Sequence, residues 1–223
     1  MITIDKRLQA IAEFVTEGGL VVDVGADHGY LSIYLVESGR SKKALATDVR
    51  EMPLQSAQEN IAEHLLSEKI DTMLTDGLNG VDLQDMTDIV IAGMGGILIS
   101  EILEARHPLV EKNLVLQPMT QAGHLRQWLC ENGYDIIEEA PVFVGKKAYC
   151  VIHAKYDGVV RSCDELFRLI GRIPQSSDEN VERYLSHMEQ KLLKKAAGLQ
   201  KSEKEPAELG KTLELVDKVR AKR

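Results

Sequence analysis

Through about residue 155, short β-branched apolar runs alternate with amphipathic stretches. The runs are Leu20-Val21-Val22 ahead of Asp23, Ala44-Leu45-Ala46-Thr47 ahead of Asp48, Ile70–Thr75, Ile89-Val90-Ile91-Ala92, Leu114-Val115-Leu116 and Tyr149–Ala154. Apolar runs of this length, bounded by Gly and Asp, read as strands buried on both faces. The intervening stretches, roughly Asp5–Glu17, Tyr30–Ser38, Met52–Leu66, Ile97–Arg106 and Ala122–Asn132, repeat Leu, Ile or Ala at three- and four-residue spacing and are long enough for crossover helices. The pattern predicts an α/β domain over residues 1–155 with a mainly parallel sheet and right-handed crossovers.

After Ala154 the strand pattern stops. Asp164–Ile170 reads as a short helix, Gly171–Ser177 as a break, and Asp178–Gln200 and Glu205–Arg223 as two long helices joined across Lys201-Ser202-Glu203-Lys204. Val181, Tyr184, Leu185, Met188, Leu192 and Leu199 on the first, with Leu209, Leu213, Val216 and Val219 on the second, predict an antiparallel, coiled-coil-like hairpin over residues 156–223.

Composition narrows the class. The chain has 223 residues, 44% hydrophobic, and a net charge of −8. No apolar run approaches the length of a membrane span or of a signal-peptide core, so the expected address is the cytoplasm with no membrane partner. Cys130, Cys150 and Cys163 are too few and too scattered for a disulfide framework or a zinc site, and the six histidines show no metal-ligand spacing, so no metal is implied. The acidity speaks against gripping nucleic acid by bulk charge, but it is unevenly placed: residues 1–155 carry net −10 and residues 156–223 net +2. Lys191, Lys194 and Lys195, followed by Lys201 and Lys204 and by Arg220, Lys222 and Arg223, make a basic stripe suited either to phosphate contacts or to a solvated, salt-laced helix.

Candidate chemistry gathers at the strand ends. Asp23-Val24-Gly25-Ala26-Asp27-His28-Gly29 follows the first strand and opens the helix at Tyr30, so Gly25 and Gly29 let the backbone turn tightly beside a ligand. The dinucleotide fingerprint would place its second glycine at Asp27, whose carboxylate would face a pyrophosphate, which disfavours a nicotinamide cofactor. A ligand carrying an amine and a sulfonium, such as S-adenosylmethionine, suits Asp23 and Asp27 better. Asp48 after the second strand is placed to accept from ribose hydroxyls, and Asp76-Gly77 after the third to meet an adenine amine; each alone also reads as a cap or turn residue. Ala92-Gly93-Met94-Gly95-Gly96 ends the fourth strand, where the amides of Gly95 and Gly96 could face cofactor or substrate. The fifth strand runs into Gln117-Pro118-Met119, whose Gln117 could bond a planar base. His28 is the histidine placed to touch ligand. A methyltransferase acting on another RNA or on a small molecule, and a cofactor- or RNA-binding protein without catalysis, fit the same features.

These segments resemble the class I Rossmann-like S-adenosylmethionine methyltransferases, and within them the bacterial enzymes that methylate N1 of adenosine 22 in tRNA. The resemblance runs through Lys6-Arg7-Leu8, the Asp23–Leu31 turn, Asp76-Gly77-Leu78, Ile91–Gly96, Leu116-Gln117-Pro118 and Leu125-Arg126-x-Trp128-Leu129. It implies a seven-stranded sheet, S-adenosylmethionine held by Asp23, Gly25, Asp27, Gly29, Asp48, Asp76, Gly77, Ala92, Gly93 and Gly95, and tRNA as partner, with no DNA. It implies Asp27 as the carboxylate that offsets charge on the methylated base, with His28 and Tyr30 contacting or shaping its site. Substrate contacts would come from Arg7, Gly96, Gln117, Pro118 and Met119, and from Lys191, Lys194 and Lys195 on a hairpin that helps hold tRNA. The sequence leaves the oligomeric state open, and a monomer is compatible with it. Departures stand out at Ala26, Gly29 and Ser32, where the family usually has Ser, Ala and Pro, and at Met119, where it usually has Asn.

Overall fold

A computed structural model of the chain describes residues 1–202 and 206–223. Helix α1 (Lys6–Phe14) is capped by Asp5, whose carboxylate accepts from Leu8 N at 2.8 Å, and leads into strand β1 (Gly19–Val24). There follow α2 (Tyr30–Glu37), β2 (Ser41–Asp48), α3 (Glu51–Glu63), β3 (Ile70–Leu74), β4 (Asp88–Gly95), α4 (Gly96–Glu104), β5 (Asn113–Thr120), α5 (Ala122–Glu131), β6 (Tyr134–Val144) and β7 (Lys147–Tyr156). The remainder is helical: α6 (Glu165–Ile170), a 3₁₀ turn at Ile173–Gln175, α7 (Val181–Ser202) and α8 (Pro206–Arg220).

Among the described residues the strands form one seven-stranded sheet in the order β3-β2-β1-β4-β5-β7-β6, in which β7 alone runs against the others. The order reverses between β1 and β4, the place where open α/β sheets hold ligands outside the strand carboxyl ends. Alternate residues of the central strands feed two apolar layers. Val21, Val90, Val115 and Val151 face α1, α2 and α3, while Val22, Ile89, Ile91, Leu114, Leu116 and Ile152 face α4 and α5.

Six strands match the apolar runs; β6 does not. Its register shifts between Ile136 and Glu138, and buried Glu139 interrupts the apolar alternation. Helix ends also move inward or outward by a few residues: α1 begins after Asp5, and α7 begins at Val181 because Asp178 accepts from Asn180 N at 2.6 Å in a turn before it.

Helices α7 and α8 pair antiparallel, as Glu189 to Arg220 at 2.7 Å and Lys195 to Glu208 at 2.5 Å require. The predicted seam needs correcting on α8: Leu213 is 46% exposed and Leu209 partly so, while Thr212, Val216 and Val219 are buried. The hairpin is packed onto the α/β body. Tyr184, Leu185, Met188 and Leu192 join the apolar layer on the α4 and α5 side of the sheet. Of the predicted linker, Lys201 and Ser202 belong to α7, while Glu203 and Lys204, the latter part of the basic stripe, lie with Glu205 outside the described residues.

Fully buried Arg126 on α5 fastens this junction. It donates to Glu139 Oε1 of β6 at 2.9 Å and to the carbonyls of Arg168 and Leu169 at the end of α6 at 2.9 and 3.1 Å. Glu139 Oε2 accepts in turn from Arg172 N at 2.5 Å. Burial pushes the Glu139 carboxyl up, and Arg126 and the Arg172 amide oppose that.

Candidate active site

The carboxyl ends of β3, β2, β1 and β4 open into a cavity of about 560 Å³. Asp76 and Gly77, Asp48, Asp23 and Gly25, and Ala92 and Gly93 line it in that spatial order, with Asp27, His28 and Tyr30 from the turn before α2 and Arg7 from α1. The acids predicted to hold a cofactor are therefore neighbours on successive strands.

Gly25 has φ +71°, and a Cβ there would stand 2.2 Å from Met94 Cε, so a side chain would both strain the turn and fill the space the turn leaves open. Asp23 is buried, and Ser32 Oγ donates to its Oδ2 at 2.8 Å. Burial raises its pKa to about 6, against hydrogen bonds from the Ser32 side chain and backbone. A carboxylate kept in this state gains from an incoming ammonium. Asp48 is also buried; its Oδ1 accepts from Arg50 N at 2.9 Å and its Oδ2 from Asp27 N at 3.3 Å. Asp27, at φ +51°, lies 3.7 Å from Arg50 Nη2 and 3.7 Å from His28 Nε2, and the His28 ring stacks on Tyr30 with centroids 5.5 Å apart. The glycine cradle and the row of acids fit a ligand bearing an adenine amine, a ribose diol and an amino acid.

Five of the residues predicted in the α/β part sit elsewhere than on the cavity wall. Gly29 is the buried left-handed residue before α2, and Gly95 ends β4 close to Thr120. Gly96 is packed against the Gln121 carbonyl, where a Cβ would come within 2.4 Å. Gln117 is fully buried with its amide turned inward, and Pro118 is buried beside it. Met119 is 39% exposed and lines both the cavity and a second groove of about 640 Å³ between α5, β7 and the hairpin. Lys191 and Lys195 line that groove with Arg168, Lys211, His124 and His187; Lys194, although exposed, does not. Arg220 and Arg223 are turned to Glu189 at 2.7 and 3.0 Å.

The sequence alone did not single out Arg50, Thr75, Met94 and Leu98, which also line the cavity. Arg50 stands two residues beyond Asp48, and Thr75 one before Asp76, so proximity to a strand-end acid was the available signal.

The described helices include none long and apolar enough to cross a membrane. Residues 4–152 match the family model of the methyltransferase domain. The chain is 34% identical over 172 residues to the tRNA (adenine(22)-N(1))-methyltransferase of Bacillus subtilis, spanning 73% of this chain and 72% of that one. Its fold is similar to the Bacillus subtilis M1A22 tRNA methyltransferase structure, with a TM-score of 0.84 and 28% identity over 98% of this chain and 99% of that one. It is also similar to a candidate tRNA (m1A22) methyltransferase of Streptococcus pneumoniae in complex with S-adenosyl-L-methionine, with a TM-score of 0.83 and 33% identity over 97% and 99%. The chain belongs to the tRNA (adenine(22)-N(1))-methyltransferase family, with the methyltransferase domain of that family over its α/β part.

Proposed function

We propose that the protein transfers a methyl group from S-adenosylmethionine to N1 of adenosine 22 in tRNA. The observation that carries this is the adjacency of two unlike surfaces that share Met119 as a wall: an acidic cavity suited to the cofactor, and a groove in which Arg168, Lys191, Lys195 and Lys211 outnumber Glu165 and Glu208. A nucleotide whose base reaches the first can leave its phosphates in the second.

Asp23, Asp48 and Asp76 would hold the cofactor by its amine, ribose and adenine, along the floor made by Gly25, Gly77, Ala92 and Gly93. When bound, S-adenosylmethionine supplies a methyl group activated on sulfur. Adenine N1 already carries a lone pair, so the chain needs to position and desolvate the base rather than strip a proton from it. Asp27 supplies negative charge where the methylated ring becomes cationic, and the His28–Tyr30 stack offers a flat surface to a base. Residues 1–155 then hold the cofactor and residues 156–223 help hold the RNA. The partner is tRNA and not DNA or a membrane, and the address is the cytoplasm.

The test is incubation of the protein with methyl-labelled S-adenosylmethionine and tRNA from a strain lacking this modification, followed by nucleoside analysis. Label at N1 of adenosine 22 is expected; cofactor binding without transfer to any adenosine would defeat the proposal.

A further inference from the structure

The β6–β7 hairpin carries charge of the opposite sign to the body it grows from. Residues 1–155 are net −10, yet residues 140–156 hold Lys146, Lys147 and Lys155 and no carboxylate. Lys146 and Lys147 sit side by side at the turn, both exposed. Among the described residues the lysines held in ion pairs are Lys195, to Glu208, and Lys218, to Glu214; the two at the turn are not.

Topology sends this turn to the ligand edge of the sheet. Strand β7 runs against β5, and beyond their pair Leu116 with Ile152 the five residues Lys147–Val151 of β7 continue with β6 alone. At about 3.3 Å per residue, Lys147 stands about 17 Å past Leu116, in the direction that β5 takes to Met119 and Thr120. The residues that follow it, Ala148, Tyr149 and Cys150, line the basic groove.

Helix α7 holds the turn in place. Phe143, near the end of β6, lies under the Arg183 guanidinium at 3.8 Å from the ring centroid and edge-on to His187 at 6.3 Å, and Arg183 Nη2 donates to the Gly145 carbonyl at 3.4 Å. From there Arg183, His187, Lys191 and Lys195 recur every fourth residue on the exposed side of α7, a row about 18 Å long. The acids of this part of α7, Glu182 and Glu189, are turned instead to Arg220 and Arg223. Glu165 and Glu208 reach the groove from α6 and α8. A row of this length outreaches any single small anion, whereas a chain of phosphates spans it.

We infer that the β6–β7 turn is a second RNA-gripping element, in which Lys146 and Lys147 take phosphates in line with those along α7 while Phe143 and Arg183 keep the turn in register with that helix. The inference rests on tRNA being the substrate.

Its test compares two double variants of equal charge change, by filter binding of an unmodified tRNA transcript across a salt series. Lys146→Ala with Lys147→Ala strips the turn. Lys42→Ala with Lys43→Ala removes two exposed lysines from the amino end of β2, at the opposite edge of the sheet from the cavity. The turn variant is expected to bind tRNA about 8- to 60-fold more weakly at 0.1 M salt and to flatten the log–log salt slope by about 1–2, the range for one to two phosphates released. The β2 variant is expected to stay within about twofold of the wild type in tRNA affinity, and thermal unfolding confirms that both are folded. An unchanged slope in the turn variant would overturn the grip, as would equal losses in the two variants, which would show bulk charge at work. A wild type that binds no tRNA would overturn the proposed function and the grip together; one that binds tRNA without methylating it, with the turn still setting the slope, would overturn the reaction alone.

Discussion

Asp23 shows how a binding residue burdens the protein that carries it. Its folded pKa, about 6, is above the ordinary 3.8, because burial disfavours the charged form more than the two Ser32 bonds favour it. The sign follows directly: the ionised group opposes folding fully above about pH 6, and that opposition fades as the pH falls toward 4. A shift of this size corresponds to roughly 3 kcal/mol at neutral pH. Asp23→Asn should therefore raise the unfolding temperature of the ligand-free protein, by more at pH 7.5 than at pH 5, while weakening S-adenosylmethionine binding. A melting difference that does not depend on pH would show that the burial cost is not there. Ser32 illustrates what a sequence hides. It is visible as a departure from the family's proline, but its partner is nine residues back, across the turn, and only the folded helix brings hydroxyl and carboxylate together. Gln117 misled for a related reason: an amide at a strand end invites a base, and nothing local reveals that Arg7, 110 residues earlier, already occupies it.

At the scale of elements, parallel strands were legible because burial on both faces leaves unbroken apolar runs such as Ile89–Ala92. The strand-end acids were legible because each follows such a run. Strand β6 was not, since a bulge and an ion pair in its middle replace the periodic signal with Glu138-Glu139. That ion pair sets an expectation of its own. Glu139→Leu or Arg126→Met alone should cost about 3–5 kcal/mol, because each leaves an uncompensated charged group in the interior, whereas the double change Arg126→Met with Glu139→Leu should cost much less. Gly171→Ala should destabilise as well: at φ +54° its Cβ would meet Glu139 Oε2 at 1.7 Å. Denaturant unfolding of the four variants checks the ranking; additive losses in the double variant would contradict it.

Over the whole molecule, the charge of −8 is an average of an acidic cavity side and a basic groove. Replacing Lys191 and Lys211 together by Glu should weaken tRNA binding, flatten its dependence on salt by roughly two phosphate contacts, and leave S-adenosylmethionine affinity unchanged. Filter binding across a salt series reads this, and an unaltered slope would mean the RNA follows another path. The boundary near residue 155 was legible as a change of period, but the packing across it was not, because Tyr184, Leu185 and Met188 would sit at the same spacing in a self-contained coiled coil. In the fold those three side chains belong to the apolar layer on the α4 and α5 side of the sheet. The hairpin is consequently no detachable cassette: transplanted to another methyltransferase body it would arrive with an apolar flank and no Arg126–Glu139 latch to receive it, so its lineage and that of the sheet beneath it are bound to change together.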